Sequence, residues 1–203
     1  MLLYTFPPAP NPRKLAVYLA EKGITLPCRR VDLLANEQRS PAFLAVNPRG
    51  AVPVLELDDG TRLTESLAII EYLEELHPEP PMIGVRPRER ARVREVERMV
   101  DVGVLMRIAR IVHNRRSPLP GVRGDAEVAR QEAERLPAIL GIIDALVDDR
   151  PFVMGAHPTI ADCSLFAALA FGELFDLPVE PRFPNLHRWY RDFACRPSAR
   201  LEL

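Results

Sequence analysis

Asn47-Pro48-Arg49-Gly50-Ala51-Val52-Pro53-Val54-Leu55 sets a proline at the mouth of an apolar run. Pro53 has no N–H to give to a strand ladder, so the chain must need no donor there. A cis Val52-Pro53 bond meets that condition by turning the chain sharply. It also leaves the Val52 N–H and C=O facing outward, where an extended peptide ligand can pair with them as a strand would. Working upstream, Leu2 to Phe6 reads as a strand and Pro12 to Lys22 as a helix. Asn11 is its expected N-cap, Pro12 its first residue and Gly23 its stop. Cys28 to Leu33 alternates apolar with charged residues as a second strand does, and Ser40 to Ala45 is a short helix. Downstream, Val52 to Leu57 and Arg62 to Thr64 flank the turn Asp58-Asp59-Gly60. Ser66 to Leu76 then places Leu67, Ile70, Leu73 and Leu76 on one helical face. The order βαβ-ββα is that of a thioredoxin-like α/β domain, a small mixed sheet with helices on both sides; periodicity alone leaves other small α/β folds open.

The character of the chain changes near residue 80. His77 to Pro87 holds Pro78, Pro80, Pro81 and Pro87, which no helix can absorb. The reading is therefore an α/β domain over 1–77, a linker over 78–87 and an all-α domain over 88–203. In the last, Glu89 to Val112 is one long helix, and Asp125 caps a helix to about Val147 that Pro137 should kink. Thr159 to Leu174 is the most apolar helix, followed by Asn185 to Cys195.

With these elements placed, the nine-residue stretch resembles the NPxGxVPxL segment of glutathione transferases. Leu63-Thr64-Glu65-Ser66-Leu67-Ala68-Ile69 resembles the segment that follows it in that family. Pro158-Thr159-Ile160-Ala161-Asp162 is similar to the family's (S/T)xAD cap of a buried helix, with Phe152-Val153-Met154-Gly155 ahead of it. In such a cap Thr159 accepts from the Asp162 N–H while the Asp162 carboxylate accepts from the Thr159 N–H. The likeness spans essentially the whole chain. It implies a glutathione transferase, an enzyme with glutathione as co-substrate and a small hydrophobic electrophile as second substrate, acting in detoxification by conjugation or peroxide reduction. It also implies a homodimer. The alternative is a non-enzymatic glutathione transferase-like module for binding or assembly.

The resemblance assigns roles by position. The Val52 backbone, before Pro53, takes the cysteinyl unit of glutathione. Glu65 and Ser66 take the γ-glutamyl end, with Ser66 at a helix N-terminus where orphan N–H groups and the dipole favour an anion. Gln38, Arg39 and Arg49 are candidates for the glycyl carboxylate. Asp101 is a candidate carboxylate reaching the γ-glutamyl ammonium from a partner subunit. Most classes put a Tyr, Ser or Cys between first strand and first helix to lower the thiol pKa, but Thr5-Phe6-Pro7-Pro8-Ala9-Pro10-Asn11-Pro12 has no Ser, Cys or Tyr. Asn11 is the first catalytic candidate, as an amide donor to sulfur or merely a helix cap, and Thr5 the second. The electrophile pocket is expected between the domains, along Met106, Arg107, Arg110, Ile111 and His113, where an arginine favours an anionic or carbonyl-bearing substrate.

Composition narrows the rest. A net charge of -1 draws the chain to neither nucleic acid nor anionic membrane. No run approaches the ~18 apolar residues of a membrane helix. The start has no basic lead-in and reads as a strand, not a signal peptide. Cys28, Cys163 and Cys195 form no CxxC, and the four histidines no HxxxH, so no metal site is expected; reduced thiols fit a cytoplasmic protein.

Overall fold

The computed structural model describes residues 1–200. Its first third is a four-stranded mixed sheet in the order β2-β1-β3-β4. β1 (Leu2–Thr5) pairs in parallel with β2 (Cys28–Arg30) and antiparallel with β3 (Val54–Glu56), which pairs antiparallel with β4 (Arg62–Thr64). The register sets Leu3 opposite Leu55 and Tyr4 opposite Val54. Strand alternation then sends the two pairs to opposite faces. Leu3 and Leu55 join a core shared with the helical half, while Tyr4 and Val54 join Phe6, Val31 and Phe43 in a second cluster.

Helix α1 (Pro10–Lys22) begins earlier than expected, with Ala9 as N-cap and no side-chain cap bond. Asn11 is therefore the second helical residue, not the cap. Pro10 and Pro12 both fit because the first turn of a helix has no acceptors for its N–H groups. Gly23 ends the helix in the left-handed region at φ 68, as its position suggested. Strand β2 also stops sooner than expected. The Val31 N–H still bonds Thr5 O at 2.9 Å, but the Asp32 carboxylate then accepts from Leu34 and Ala35 N–H and bends the chain off the sheet. The 3₁₀ turn Glu37–Arg39, helix α2 (Pro41–Leu44) and, past the sheet, helix α3 (Ser66–Leu76) complete this half.

Residues 77–86 form neither helix nor strand, yet Met82 and Ile83 are buried. The buried Glu74 carboxylate accepts from their N–H groups at 2.6 and 3.3 Å, and Lys22 Nζ donates to Pro80 O at 2.6 Å. Met82 O in turn accepts from the Ile160 N–H at 3.0 Å. This stretch is thus tied to both halves. The long helix runs from Pro87 to Arg116 in three parts: α4 (Pro87–Val100), a π-helical turn (Asp101–Leu105) and α5 (Met106–Arg116). The π turn was not expected. Helix α6 (Ala126–Val147) continues through Pro137, and α7 (Ile160–Leu174) and α8 (Pro184–Ala194) follow.

Helix α7 is the central helix, nearly all of it buried. At its start the Asp162 carboxylate, fully buried, accepts from Thr159 N–H (2.8 Å), Thr159 Oγ1–H (3.0 Å), Val153 N–H (2.8 Å) and Trp189 Nε1–H (3.1 Å). The capping box expected from sequence is present, and the Thr159 hydroxyl in addition donates to this carboxylate. Burial pushes the Asp162 carboxyl up to about 6 despite these four donors. A folded pKa above the ordinary carboxylate value means its contribution to stability declines as pH rises from about 4 through that value. Asp162→Ala strands all four donors and is expected to lower stability by about 3 kcal/mol, against about 1 kcal/mol for Thr159→Val, in chemical denaturation at neutral pH. Equal losses for the two variants would contradict this role.

Candidate functional site

The loop around Pro53 is braced from within. Buried Asn47 donates through Nδ2 to Ala51 O at 2.7 Å, and its Oδ1 accepts from the Arg49 N–H at 3.1 Å. Gly50 lies at φ 60. A Cβ there would stand 2.8 Å from Gln38 O and 3.0 Å from an Arg39 guanidinium nitrogen, so only glycine lets the 37–39 turn pack against this loop. The Val52-Pro53 peptide is cis. Among the described residues nothing pairs with the Val52 backbone N–H or C=O.

Beside this loop the N-termini of α1 and α3 meet. Asn11 and Ser66 face each other, the Ser66 hydroxyl donating to Asn11 Oδ1 at 3.3 Å. That bond occupies the Asn11 carbonyl and leaves its Nδ2 amide without an acceptor among the described residues. Ser66 is the first residue of α3, with no acidic residue in the opening turn and no side-chain cap, so the helix presents its unpaired N–H groups to this corner. Glu65 precedes it at φ 71, an unusual conformation for a residue with a side chain. Its carboxylate pairs with Arg49, both groups exposed. A 110 Å³ pocket results, and Asn11, Arg49, Val52, Pro53, Glu65 and Ser66 all line it. A cluster of N–H donors and an arginine beside one carboxylate suits a small zwitterion.

Other expected residues lie off this pocket. Gln38 is buried behind it, its amide donating to Asn36 Oδ1 at 3.1 Å, and Arg39 lies over Gly50. Thr5 is buried in β1 and lines neither this pocket nor the next. Asp101 opens the π turn and faces its own chain, accepting from Lys14 Nζ at 2.6 Å and Arg98 Nη1 at 2.9 Å.

A second, apolar pocket of 170 Å³ begins at Ala9 and Pro10, the residues just before Asn11. Its walls are Phe6, Leu33 and Leu34 from the first half and His113, Leu119, Phe171 and Phe175 from the second. Met106, Arg107, Arg110 and Ile111, expected along it, are not among its walls. Arg107 and Arg110 both turn to the buried Glu132 of α6, at 2.6 and 2.9 Å, Ile111 is wholly buried, and Met106 is exposed elsewhere. Only His113 of that group reaches the pocket. Its Nδ1 lies 2.8 Å from Ser117 Oγ, and burial lowers its pKa, so the ring is mainly neutral at pH 7. Leu33, Leu34, Phe171 and Phe175 carried no sequence signal as wall residues, because the pocket is assembled from four segments far apart in sequence. No helix is long and apolar enough to cross a membrane, and no group of three metal-ligating side chains occurs among the described residues.

A thioredoxin-like half joined to a helical half, with a polar pocket at the Pro53 loop and an apolar one across the seam, defines a glutathione transferase fold. The chain matches the family described as Glutathione S-transferase, N-terminal domain over residues 3–81, and Glutathione S-transferase, C-terminal domain over residues 125–192. It is 31% identical to Glutathione S-transferase 2 of Saccharomyces cerevisiae, over 98% of this chain and 88% of that protein. It is 33% identical to a maleylacetoacetate isomerase of Pseudomonas aeruginosa, over 98% and 94%. The crystal structure of Gtt2 from Saccharomyces cerevisiae superposes with a TM-score of 0.91 at 30% identity, covering 98% of each chain. The chain belongs to the cytosolic glutathione S-transferase superfamily.

The Gly50 packing is directly testable. Gly50→Ala is expected to cost more than about 1 kcal/mol, from the left-handed backbone plus the approach to Gln38 O. Gly60→Ala, at φ 85 with open space around the added carbon, should cost only the backbone share. Denaturant midpoints that rank the two variants in the opposite order would remove the packing argument.

Proposed function

We propose that the chain is a glutathione transferase that binds glutathione in the pocket between the α1 and α3 N-termini and adds its thiol to an apolar electrophile, or uses it to reduce a peroxide. The observation that carries this reading is the convergence of Asn11, Arg49, Val52, Glu65 and Ser66 on one small pocket that shares the α1 N-terminus with an apolar one. In this reading the Val52 backbone pairs with the cysteinyl unit, Ser66 and the α3 N–H groups hold the γ-glutamyl carboxylate, and Glu65 meets its ammonium. Arg49, with Arg39 behind Gly50, takes the glycyl carboxylate, while Gln38 steadies the Arg39 turn. Asp101, turned to Lys14 and Arg98 in its own chain, would serve the ammonium only across a homodimer axis. A cytoplasmic location and a detoxifying role belong to the same proposal.

The thiol of free glutathione, with a pKa near that of cysteine at about 8.5, is only a few per cent ionised at neutral pH. Asn11, rather than the buried Thr5, is assigned the stabilising role. It lines the polar pocket, its neighbours Ala9 and Pro10 line the apolar one, and the α1 dipole adds positive potential there. A second reading, a glutathione-dependent isomerase, has the support of the 33% identity to the Pseudomonas aeruginosa isomerase. It uses the same glutathione site and differs only in the second substrate.

Retention on immobilised glutathione, then turnover of a chlorinated dinitrobenzene and of an organic peroxide, tests the proposal. Retention without turnover of either would favour a binding or assembly module, or the isomerase. Glu65→Ala is expected to weaken glutathione binding about tenfold by calorimetry; full binding by that variant would displace the site. Asn11→Ala should bind glutathione normally but raise the pKa of the bound thiol, read from thiolate absorbance against pH. An unchanged thiol pKa would remove Asn11 from catalysis.

A further inference from the structure

The apolar pocket is not closed. Pro118, Leu174 and Phe175 line it and also line a neighbouring open cavity of 520 Å³. That cavity has a different chemistry: its charged wall residues are Arg115 and Arg116, from the last turn of α5, and Asp176. Earlier on the same helix Arg107 and Arg110 share the carboxylate of Glu132. Among the described residues no carboxylate lies within 4.0 Å of either Arg115 or Arg116. Two guanidinium groups therefore face a single carboxylate, Asp176, and the weak negative end of the α5 dipole. The balance is positive.

The seam between the two cavities is apolar and wet. Leu174 is 59% exposed and Leu34, on the opposite wall of the apolar pocket, is 54% exposed. Large apolar side chains held in water beside unpaired arginines are what a molecule with an apolar body and an anionic end would cover. The 170 Å³ pocket has room for a ring or a short chain, and the open cavity lets an anion keep part of its hydration while an arginine fork engages it.

We infer that the second substrate is an apolar electrophile carrying a carboxylate or similar anion, its body against Phe171 and Leu33 and its charge at Arg115 and Arg116. This rests on the proposal that the apolar pocket takes the electrophile.

Two dyes with the same rings test it without turnover: 8-anilinonaphthalene-1-sulfonate, which is anionic, and N-phenyl-1-naphthylamine, which is neutral. In fluorescence titrations of the full chain, the double variant Arg115→Gln/Arg116→Gln is expected to bind the sulfonate about fivefold more weakly and the neutral dye unchanged. Added salt should weaken sulfonate binding to the unmutated protein in the same way. Leu174→Asp, at the seam, should weaken both dyes, the sulfonate more. Unchanged sulfonate affinity in the double variant, or an equal loss for both dyes, overturns the anion site. Catalysis separates the two claims. If the protein conjugates both 4-chloro-3,5-dinitrobenzoate and its amide with no preference for the acid, the transferase reading stands and the anion site falls. Turnover of neither, nor of chlorodinitrobenzene or an organic peroxide, with the selective loss of sulfonate binding, leaves the anion site standing and the transferase reading fallen.

Discussion

Lys14 carries its ammonium to a place where its side chain is 1% exposed, and the joint between the two halves depends on how that charge is met. Its Nζ lies 2.6 Å from Asp101 Oδ1 and 3.3 Å from Glu97 Oε1, with Glu97 fully buried. The Ser164 hydroxyl, on α7, donates to the same Glu97 oxygen at 2.9 Å. One helix from the sheet half is thereby bonded to two elements of the helical half. An unpaired charge at this depth is costly, so each partner constrains the others. The constraint is directional, where apolar packing alone would allow sliding. Around it, Leu15, Val17 and Tyr18 of α1 lie in the same core cluster as Val96, Leu165 and Phe166. The π turn belongs to this joint as well, since it begins at Asp101. Its Gly103 runs so close to α6 that an added Cβ would stand 2.9 Å from an Ile139 side-chain carbon.

Fixing α1 in this way fixes both pockets, because they meet at its first turn. Ala9 and Pro10 are walls of the apolar pocket and Asn11 is a wall of the polar one. Three prolines, at 8, 10 and 12, limit the backbone freedom of that turn before any tertiary contact forms. The Ser66–Asn11 hydrogen bond then ties it to the start of α3. On the proposed reading, a ligand sulfur beside Asn11 would lie next to the first-turn residues that wall the apolar pocket, an arrangement that favours a short, oriented reaction path.

The parts legible in sequence were those set by neighbours along the chain. Gly23 as a stop, the Asp58-Asp59-Gly60 turn, Ser66 at the head of α3 and Thr159 at the head of α7 each follow from local backbone chemistry, and the structure has them there. By residue type Asn11 is the stronger cap, but the prolines decide where α1 starts and need no cap side chain. The arginines of the long helix are placed by a more distant partner. Periodicity puts Arg107 and Arg110 on one face but is silent about Glu132, which lies on the neighbouring helix and turns them away from the seam. Lys14 is the extreme case: as one of two lysines in the chain it reads as a surface residue, and only Glu97 and Asp101, more than eighty positions on, make its burial possible.

The same reasoning bears on how the thiol would be held. A tyrosine or serine hydroxyl in the first loop would lower the thiol pKa through one strong, localised donor. Here that loop has none, and the positive potential at the site is spread over the α1 end, the Asn11 amide and the α3 end. Distributed dipoles of this kind take up no proton themselves, but they favour the ionised thiol wherever it sits within the first turn. On the proposed reading, such a site would hold a thiolate without prescribing one geometry for its attack. On the same reading the choice of electrophile would fall to the second pocket, whose walls come from four separate segments and whose open side carries Arg115 and Arg116. The polar pocket is built largely from family motif residues, whereas the open side of the second pocket, where α5 ends, carries two arginines that no motif predicts.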